Sequence, residues 1–290
     1  MKKLILFLII LLFITACAKK QNKETSSFKV ATYNLRATRI NDSLAQAKLL
    51  DDYNVQIAGV QEVNYNNKRF SDEDFNSLSG FNNYYPHHRF ANAIDFAGGY
   101  YGIAVVSKQE LSNDSFKVFD GEKPLKQDVL RKLYYEYRAS DEDAKKRLKD
   151  FKTDTPLIDR LEPRVYQRVE FEWEGNKIAF YNAHLSYESK DLRTKQMQEL
   201  IKAVKNDKLE YKIITGDFNN NYGDEFEIFK EDFYMANGKE DKFLDTFIST
   251  KGNRPIDNIF VSKNIEIIDS FTVNSPWSDH LPLIAEIKLK

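Results

Sequence analysis

Short apolar runs recur along this chain, and most of them end in a polar side chain. The first, FKVATYN from Phe28 to Asn34, has the β-branched and aromatic residues typical of a strand. A later run, NVQIAGVQEV, places Glu62 near its end. Runs of this kind predict strands over residues 28–34, 54–63, 100–107, 164–173, 177–182, 213–215, 256–261 and 281–287.

Helical spacing occurs between these strands. Residues 44–50 are predicted to form a helix that Asp42 or Ser43 can cap. A second helix, over residues 191–205, has an apolar face made of Met197, Leu200, Ile201 and Val204. The Glu-Gly-Asn turn at residues 174–176 joins two alternating runs and predicts an antiparallel hairpin. Strands interleaved with helices in this way predict an α/β layer fold.

Two regions are less regular. Residues 64–97 lack a clear period and are predicted to be loops with a short helix. His87 and His88 lie in this region; adjacent histidines can bind a metal, but neighbouring side chains on a strand diverge, which favours exposed loop residues. Residues from about 123 to 160 are highly charged with apolar residues at helical spacing, which predicts a helical insertion. This insertion is either a lid over a site or a solvated embellishment.

The N-terminus has the parts of a signal peptide. A basic start with Lys2 and Lys3 precedes an apolar run that is short for a membrane span. The sequence ITAC, which ends at Cys17, resembles the bacterial lipobox, whose cysteine is lipidated, for example with palmitate. Cys17 is the only cysteine, so it cannot form an internal disulfide. The alternative is an uncleaved N-terminal anchor with an incidental cysteine.

These features predict a domain organisation and a location. Residues 1–16 form the signal peptide, residues 17–27 a lipidated tether, and residues 28–290 one domain. We expect this domain to lie outside the cytoplasm, anchored to a bacterial membrane through Cys17, and to act as a monomer.

Composition and charge change this picture little. The chain has 290 residues, of which 42% are hydrophobic and 13% aromatic, so it can bury a large core. The formal net charge of -1 gives no general attraction to nucleic acid or anionic membrane. A local basic groove is compatible with this net charge.

The polar side chains at the strand ends suggest hydrolytic chemistry. They are Asn34, Glu62, His184, Asp217, Asn219, Asp257, Asp279 and His280. Carboxylate and amide oxygens are hard ligands that suit Mg²⁺, Mn²⁺ or Ca²⁺, and imidazoles exchange protons near neutral pH. Because no Ser or Cys nucleophile motif is present, this set favours metal-assisted attack by water.

The stretch GDFNN, which contains Asp217 and Asn219, has two interpretations. Gly216 permits a turn after a buried strand, and Asp and Asn in such turns often bond to their own backbone. If the backbone instead stays extended, residues two apart point the same way. A carboxylate and an amide would then converge above the sheet edge, where catalytic groups are often placed.

Six stretches resemble, in the correct order, the signature blocks of the endonuclease/exonuclease/phosphatase superfamily. They are TYNLR, QEV, NAHL, GDFNN, IDNIF and SDHLP. The superfamily includes DNase I, abasic-site endonucleases, neutral sphingomyelinases and inositol polyphosphate 5-phosphatases. The resemblance covers residue 28 to the C-terminus apart from the insertion. It implies a DNase I-like four-layered α/β sandwich, in which two mixed sheets are flanked by helices and the site lies at one edge.

The resemblance also implies metal ligands and a general base. Asn34 and Glu62 would bind the divalent metal with help from Asp279, and Mg²⁺ is expected, with Mn²⁺ or Ca²⁺ as alternatives. His280 would be the general base or a phosphate contact, oriented by Asp257.

Further roles follow from the same resemblance. His184 would protonate the leaving oxygen or bind the phosphate, whereas Asp217 and Asn219 would position water and bind a phosphoryl oxygen. Arg164 would contact phosphate. Arg36 stands where abasic-site endonucleases carry an acidic residue two after the Asn, which argues against that branch. Arg36 either contacts phosphate or pairs with a neighbouring carboxylate.

We therefore expect a divalent-metal-dependent hydrolase of phosphoric esters. A nuclease-like phosphodiesterase is favoured because His184 and His280 occur together, as in DNase-like members. The alternatives are a sphingomyelinase-like enzyme acting on a phospholipid headgroup and a phosphomonoesterase. A catalytically inactive surface binding protein is disfavoured because none of the main acids or histidines is missing.

Overall fold

The computed structural model describes residues 25–37, 42–119, 163–187, 190–220, 225–238 and 242–290. The signal peptide, Cys17 and the helical insertion predicted from the sequence lie outside these residues. Thr25 Oγ1 donates to the carbonyl of Leu289 at 2.7 Å, and Ser27 Oγ donates to Glu286 Oε1 at 2.6 Å. The last residues of the predicted tether therefore already contact the domain. No described helix is both long and apolar enough to cross a membrane.

The described residues form two mixed sheets of six strands each. The strands are β1 (Phe28–Asn34), β2 (Val55–Tyr65), β3 (His87–Phe96), β4 (Gly99–Ser107), β5 (Ser112–Val118), β6 (Val165–Trp173), β7 (Asn176–His184), β8 (Tyr211–Asp217), β9 (Phe233–Met235), β10 (Asp257–Ser262), β11 (Ile265–Thr272) and β12 (Leu283–Leu289). The helices are α1 (Asp42–Asp52), a 3₁₀ turn (Ser77–Gly80), α2 (Lys190–Asn206) and α3 (Glu227–Lys230). Sheet one has the order β11-β12-β1-β2-β4-β3, and sheet two has the order β5-β6-β7-β8-β10-β9.

The two sheets pack face to face with helices outside, which confirms the predicted four-layered sandwich. The core between the sheets includes Val30, Ile57, Val169, Phe180, Ile213, Ile259, Leu283 and Ile287. Leu50 of α1 packs on the outer face of sheet one, and Leu200 of α2 packs on the outer face of sheet two. Each aliphatic side chain buried in these layers contributes about 1.5–3 kcal/mol through removal from water.

The inner faces of three central strands change from apolar to polar towards one end. Alternate residues of a strand face the same side, so every second position points between the sheets. In β1, β7 and β8 these positions read Val30, Thr32 and Asn34; Phe180, Asn182 and His184; and Ile213, Thr215 and Asp217. The same alternation that builds the core therefore carries polar groups to the end of the sandwich.

The prediction of loops over residues 64–97 is wrong for β3, which pairs with β4 in an antiparallel hairpin. His87 and His88 are consequently strand residues. β3 lies at the edge of sheet one, and most of its side chains are at least partly exposed. An edge strand with little apolar character lacks the periodicity on which the prediction relied.

The predicted hairpin between β6 and β7 is confirmed. The two strands are antiparallel, and Trp173 lies opposite Asn176. Glu174 and Gly175 connect them with φ angles of 48° and 82°. Two successive left-handed residues match the right-handed twist of the flanking strands, which is the reason such two-residue turns favour hairpins.

Candidate active site

Sheet two places three predicted site residues side by side. His184 of β7 lies opposite Asp217 of β8, and Asp217 lies opposite Asp257 of β10. Gly216 permits the close approach of β7 and β8, because a Cβ at this position would lie 2.4 Å from the carbonyl oxygen of Ala183. Gly216 is therefore a strand residue and not the turn that the sequence suggested, since β8 continues to Asp217.

Sheet one contributes Asn34 and Glu62 from the opposite side. Asn34 Nδ2 donates to Asp217 Oδ2 at 2.9 Å and, at 3.3 Å, to Glu62 Oε1. Asn34 Oδ1 accepts the backbone N–H of Arg36 at 2.8 Å. Glu62 lies in a β-bulge of β2 with a φ of 58°. Bulges re-aim side chains beside active sites, and a left-handed residue of this type costs about 1–3 kcal/mol.

His280 reaches the site from the connection between β11 and β12. Its Nδ1 lies 2.8 Å from Asp257 Oδ2, and its Nε2 lies 3.7 Å from Asp217 Oδ2. The ring of Phe247 packs edge-on against the imidazole, with 5.0 Å between ring centres. The Asp257 carboxylate fixes the orientation of the imidazole and stabilises its protonated form.

The surroundings of His280 and Asp217 shift both groups upward in pKa. Burial opposes a charge on His280, but the carboxylate of Asp257, with Asp217 and Glu62 nearby, raises the pKa of the imidazole to about 9. Burial and the neighbouring charge of Asp257 raise the pKa of Asp217 to about 7. The carboxylate of Asp257 thus favours the cationic form of His280, and burial favours the protonated form of Asp217.

His184 is held in the opposite protonation state. Burial and the guanidinium of Arg164 keep the pKa of this imidazole well below its usual value. Arg164 Nη1 lies 2.8 Å from His184 Nε2. The same Nε2 atom lies 3.6 Å from Asp217 Oδ2. The carboxylate of Asp217 therefore lies between a neutral and a cationic imidazole.

These groups open onto one pocket of about 580 Å³. The predicted site residues that line it are Arg36, Glu62, Arg164, His184, Asp217, Asn219, Asp279 and His280. The other two described residues, Asn34 and Asp257, lie behind the pocket and hydrogen-bond to Asp217 and His280. The structure thus brings all the described candidates together at one edge of the sandwich.

Asn219 combines the two interpretations of GDFNN. Its φ is 50°, so the backbone does not stay extended, and its N–H donates to Asp217 Oδ1 at 2.9 Å, as in an Asx turn. Its Nδ2 donates to the carbonyl of Leu185 at 2.9 Å. The residue nevertheless lines the pocket.

Arg36 follows one of its two predicted alternatives. Its Nε lies 3.3 Å from Asp279 Oδ2, so it pairs with a neighbouring carboxylate. Both side chains also line the pocket, so the pair can meet a bound ligand.

A layer of buried polar side chains lies below the site and joins the two sheets. Gln61 Nε2 of sheet one donates to Asn182 Oδ1 of sheet two at 2.7 Å. Asn182 Nδ2 returns the link by donating to the carbonyls of Val60 and Ala104 at 3.1 and 2.9 Å. Because these groups are buried, a broken bond would leave an unsatisfied polar atom that costs about 1–3 kcal/mol. The layer therefore fixes the spacing between the strands that display the site.

The donor set fits a hard divalent cation in two positions. Glu62 and Asp279, two of the three predicted ligands, present carboxylates to the pocket. In addition, ligand atoms of Asp217, Asp257 and His280 lie within 4.8 Å of one another. Asp257 Oδ1 is buried and has no hydrogen-bond partner among the described residues. A cation at this second group would offset the close approach of the carboxylates of Asp217 and Asp257.

Several pocket residues were not predicted from the sequence. They are Arg69, Phe96, Tyr101, Tyr187, Phe247 and Arg254. Most of them follow or precede irregular segments, where no periodicity marks a residue as facing the site. Asn182 and Thr215 are different, because each lies two residues before a predicted site residue on a strand. The alternation of strand side chains was the signal that could have identified them.

Comparison with known proteins gives a family and a fold. The model of the endonuclease/exonuclease/phosphatase family matches residues 31–280. No curated protein is a match. An endonuclease/exonuclease/phosphatase structure from Bacteroides vulgatus is 18% identical with a TM-score of 0.63, over 91% of this chain and 100% of that chain.

Two further solved structures share the fold. A mannosyl-6-phosphatase from Bacteroides thetaiotaomicron is 19% identical with a TM-score of 0.58, over 90% of this chain and 99% of that chain. D. rerio TDP2, complexed with single strand DNA product, is 12% identical with a TM-score of 0.59, again over 90% and 99%. At these identities the similarity concerns the fold alone.

Proposed function

Because this chain belongs to the endonuclease/exonuclease/phosphatase family, we propose that it is a divalent-metal-dependent phosphohydrolase whose preferred bond is a phosphodiester. The observation that carries the proposal is the position of Asp217. Its Oδ2 lies 3.6 Å from Nε2 of His184 and 3.7 Å from Nε2 of His280. A carboxylate that can accept a proton, a neutral imidazole and a cationic imidazole thus face one pocket, which suits attack of water on a phosphate ester.

In the proposed mechanism, Asp217 and His280 divide the proton transfers. Asp217, with a pKa near 7, takes a proton from the attacking water. His280, kept cationic by Asp257, binds a phosphoryl oxygen on which negative charge develops. His280 then supplies a proton to the leaving oxygen, whereas neutral His184 accepts a hydrogen bond from Arg164, whose guanidinium adds positive charge beside the phosphate.

Glu62 and Asp279 are the carboxylates that we expect to hold the divalent cation, with Asn34 behind Glu62. The alternative group already contains a 2.8 Å hydrogen bond between His280 and Asp257, which a cation would have to replace. When bound, the cation would supply electrostatic stabilisation of the phosphoryl oxygens. Mg²⁺ is the first candidate because all three predicted ligands offer oxygen atoms.

The substrate alternatives remain a phosphomonoester and a phospholipid headgroup. A solved structure with the same fold is described as a mannosyl-6-phosphatase, so the assay includes a phosphomonoester. A phospholipid would suit a protein held at a membrane, and lipidation of Cys17 outside the cytoplasm remains part of this proposal. Cys17→Ser should then release the protein into the soluble fraction, whereas retention in the membrane fraction would support the uncleaved anchor.

The central test is hydrolysis by the full-length protein in detergent. Bis(p-nitrophenyl) phosphate and p-nitrophenyl phosphate are supplied with Mg²⁺, and then with EDTA. We expect the diester to be cleaved faster, and EDTA to lower the rate at least about 100-fold in a manner that Mg²⁺ reverses. Lack of hydrolysis of either compound, and of sphingomyelin, DNA and RNA, would favour the inactive binding protein.

The metal position is tested with Glu62→Gln. We expect this variant to need at least about tenfold more Mg²⁺ for half-maximal activity, since it removes one charged ligand. Glu227→Gln is the matched control, because Glu227 pairs with Lys230 on α3 and does not line the pocket. If Glu62→Gln keeps the native Mg²⁺ dependence, the ion does not lie at Glu62, and the group of Asp217, Asp257 and His280 is the remaining candidate.

A further inference from the structure

Arg69 lies in the pocket wall with its guanidinium stacked on two aromatic rings. Its Cζ lies 4.3 Å from the ring centre of Phe96 and 4.9 Å from that of Tyr101. The adjacent N–H of Lys68 donates to the carbonyl of Ala97 at 2.9 Å, which ties this connection to the β3–β4 hairpin. Within the described part of the chain, Arg69 forms no ion pair with a carboxylate.

Arg254 occupies a similar environment in the connection between β9 and β10. Its Cζ lies 4.8 Å from the ring centre of Phe247. The backbones of these two residues exchange hydrogen bonds of 2.9 Å, and Phe247 also bridges to His280. Arg254 is thus separated from His280 by one aromatic residue. Like Arg69, it makes no ion pair among the residues that the structure describes.

Stacking leaves the hydrogen-bonding edge of a guanidinium available. The aromatic ring covers one flat face of the group and restricts its orientation. The five N–H donors lie in the plane and point outward, in a geometry that matches the oxygens of a phosphate. An arginine that is oriented by aromatic rings, and not by a carboxylate, is therefore pre-organised for an anion from outside.

The charges around the pocket favour a ligand with more than one negative group. Its arginine and lysine residues are Arg36, Arg69, Arg164, Lys190, Arg193 and Arg254, and its carboxylates are Glu62, Asp217 and Asp279. Arg36 pairs with Asp279, and Arg193 pairs with Glu225. The chain as a whole has a net charge of -1, so this positive excess is local. A local excess of one sign raises the concentration of oppositely charged ligands.

We propose that Arg69 and Arg254 form a subsite for phosphate groups next to the scissile phosphate, so that the substrate carries at least two phosphates. The inference rests on the proposed function, because it takes the scissile phosphate to lie at Asp217 and His280. Arg69 approaches from the β2–β3 connection of sheet one and Arg254 from the β9–β10 connection of sheet two, so the two guanidiniums reach the pocket from different sheets. The chemistry is shared by a nucleic-acid strand and by a multiply phosphorylated sugar or cyclitol.

Binding of small phosphates tests the subsite without turnover. Isothermal titration calorimetry in EDTA compares adenosine 3′,5′-bisphosphate with adenosine 5′-monophosphate on the full-length protein. We expect the native protein to bind the bisphosphate at least about tenfold more tightly, and this ratio to fall in Arg69→Met and Arg254→Met and to approach one in the double variant. Lys263→Met is the matched control, because Lys263 stacks on Tyr234 at 4.1 Å outside this pocket and its loss should leave the ratio unchanged.

A second pair of ligands separates the two sources of phosphate. If fructose 1,6-bisphosphate is also preferred over fructose 6-phosphate, the flanking phosphate alone is recognised. If only the nucleotide pair shows a preference, the subsite is specific to a nucleotide chain. Either result supports the subsite.

Equal binding of mono- and bisphosphates by the native protein would overturn the proposal, as would a ratio unchanged in the double variant. Should a Met variant not fold, the Lys substitutions keep the charge but lose the planar group, and a lowered ratio is still expected. Because the titration needs no catalysis, an arginine-dependent ratio in a protein that cleaves no phosphate ester would refute the hydrolase and retain the subsite.

Discussion

Arg164, directly before β6, and Arg168, within β6, lie four residues apart in opposite electrostatic surroundings. Arg164 is buried against the imidazole of His184 and lowers the pKa of that group. Arg168 donates from Nε to Asp207 Oδ2 at 2.6 Å and from Nη2 to Glu170 Oε1 at 2.7 Å. Against the opposing effect of burial, these bonds lower the pKa of both carboxyl groups.

The difference separates a charge that supports the fold from charges arranged for chemistry. In the Arg168 cluster, both ion pairs join opposite charges, and Tyr181 adds its hydroxyl to Asp207 at 2.7 Å. In the pocket, burial and Arg164 lower the pKa of His184. Burial and the neighbouring Asp257 raise the pKa of Asp217. Contacts that disfavour the charged form of a buried group cost stability. They are expected where titrating groups must change their protonation state during a reaction.

The largest effect is expected from removal of the protonated imidazole of His280, which is hydrogen-bonded to Asp257. His280→Ala should lower kcat by about 10³-fold, or roughly 4 kcal/mol, because it deletes the group that faces the developing negative charge. Circular dichroism should show that the variant remains folded. A rate within tenfold of the native value would mean that His280 does not contact the reacting phosphate.

Arg168→Met should have the second largest effect, on stability and not on activity. It leaves Asp207 buried without its cation, and breaking such a pair costs about 3 kcal/mol. Urea unfolding measures this loss, and kcat should stay within about twofold of native. Arg89→Met is the control, since Arg89 is exposed and bonds to the carbonyls of His88 and Leu111. A comparable loss in both variants would show that the Arg168 cluster has no special role.

The sequence predicted the central strands and missed the edges for a physical reason. In the part of the chain that the structure describes, all eight strands with two neighbours were predicted, and the four that were not, β3, β5, β9 and β11, are the edge strands. Central strands are covered on both faces and read as apolar runs. β5 has mostly exposed side chains and β9 has only three residues, so neither has a detectable period.

The site divides in the same way. Asn34, His184 and Asp217 end central strands and Asp257 begins one, so the signature blocks and the alternation of side chains led to them directly. Arg69 and Arg254 lie on connections whose course depends on contacts distant in sequence, such as the stacking of Arg69 on Phe96. Local pattern carries no information about such contacts. The proposed reaction chemistry was therefore accessible from the sequence, whereas the walls that select a substrate were not.

Arg164→Met sharpens the contrast between the two arginines through the titration of His184. Without the guanidinium, the pKa of His184 should rise towards its usual value, although burial still opposes the charge. The imidazole resonances in NMR spectra recorded against pH measure this directly. We also expect kcat/KM to fall by about 30-fold, near 2 kcal/mol, because a positive charge is lost beside the phosphate. An unchanged His184 titration would show that Arg164 does not set its protonation state.

The smallest expected effect is the acid sensitivity of the Arg168 cluster. The pKa of Asp207 is below its usual value because the bonds from Arg168 and Leu209 outweigh burial. Its contribution is therefore fully present above the pKa of the unfolded chain and is lost as pH falls through the lower pKa of the folded state. Urea unfolding between about pH 5 and pH 2 should show a loss near 1 kcal/mol that Asp207→Asn lacks, since the amide has no charge to lose. An identical acid response in both proteins would place the acid-sensitive groups elsewhere, and the pocket acids would then be the first to test.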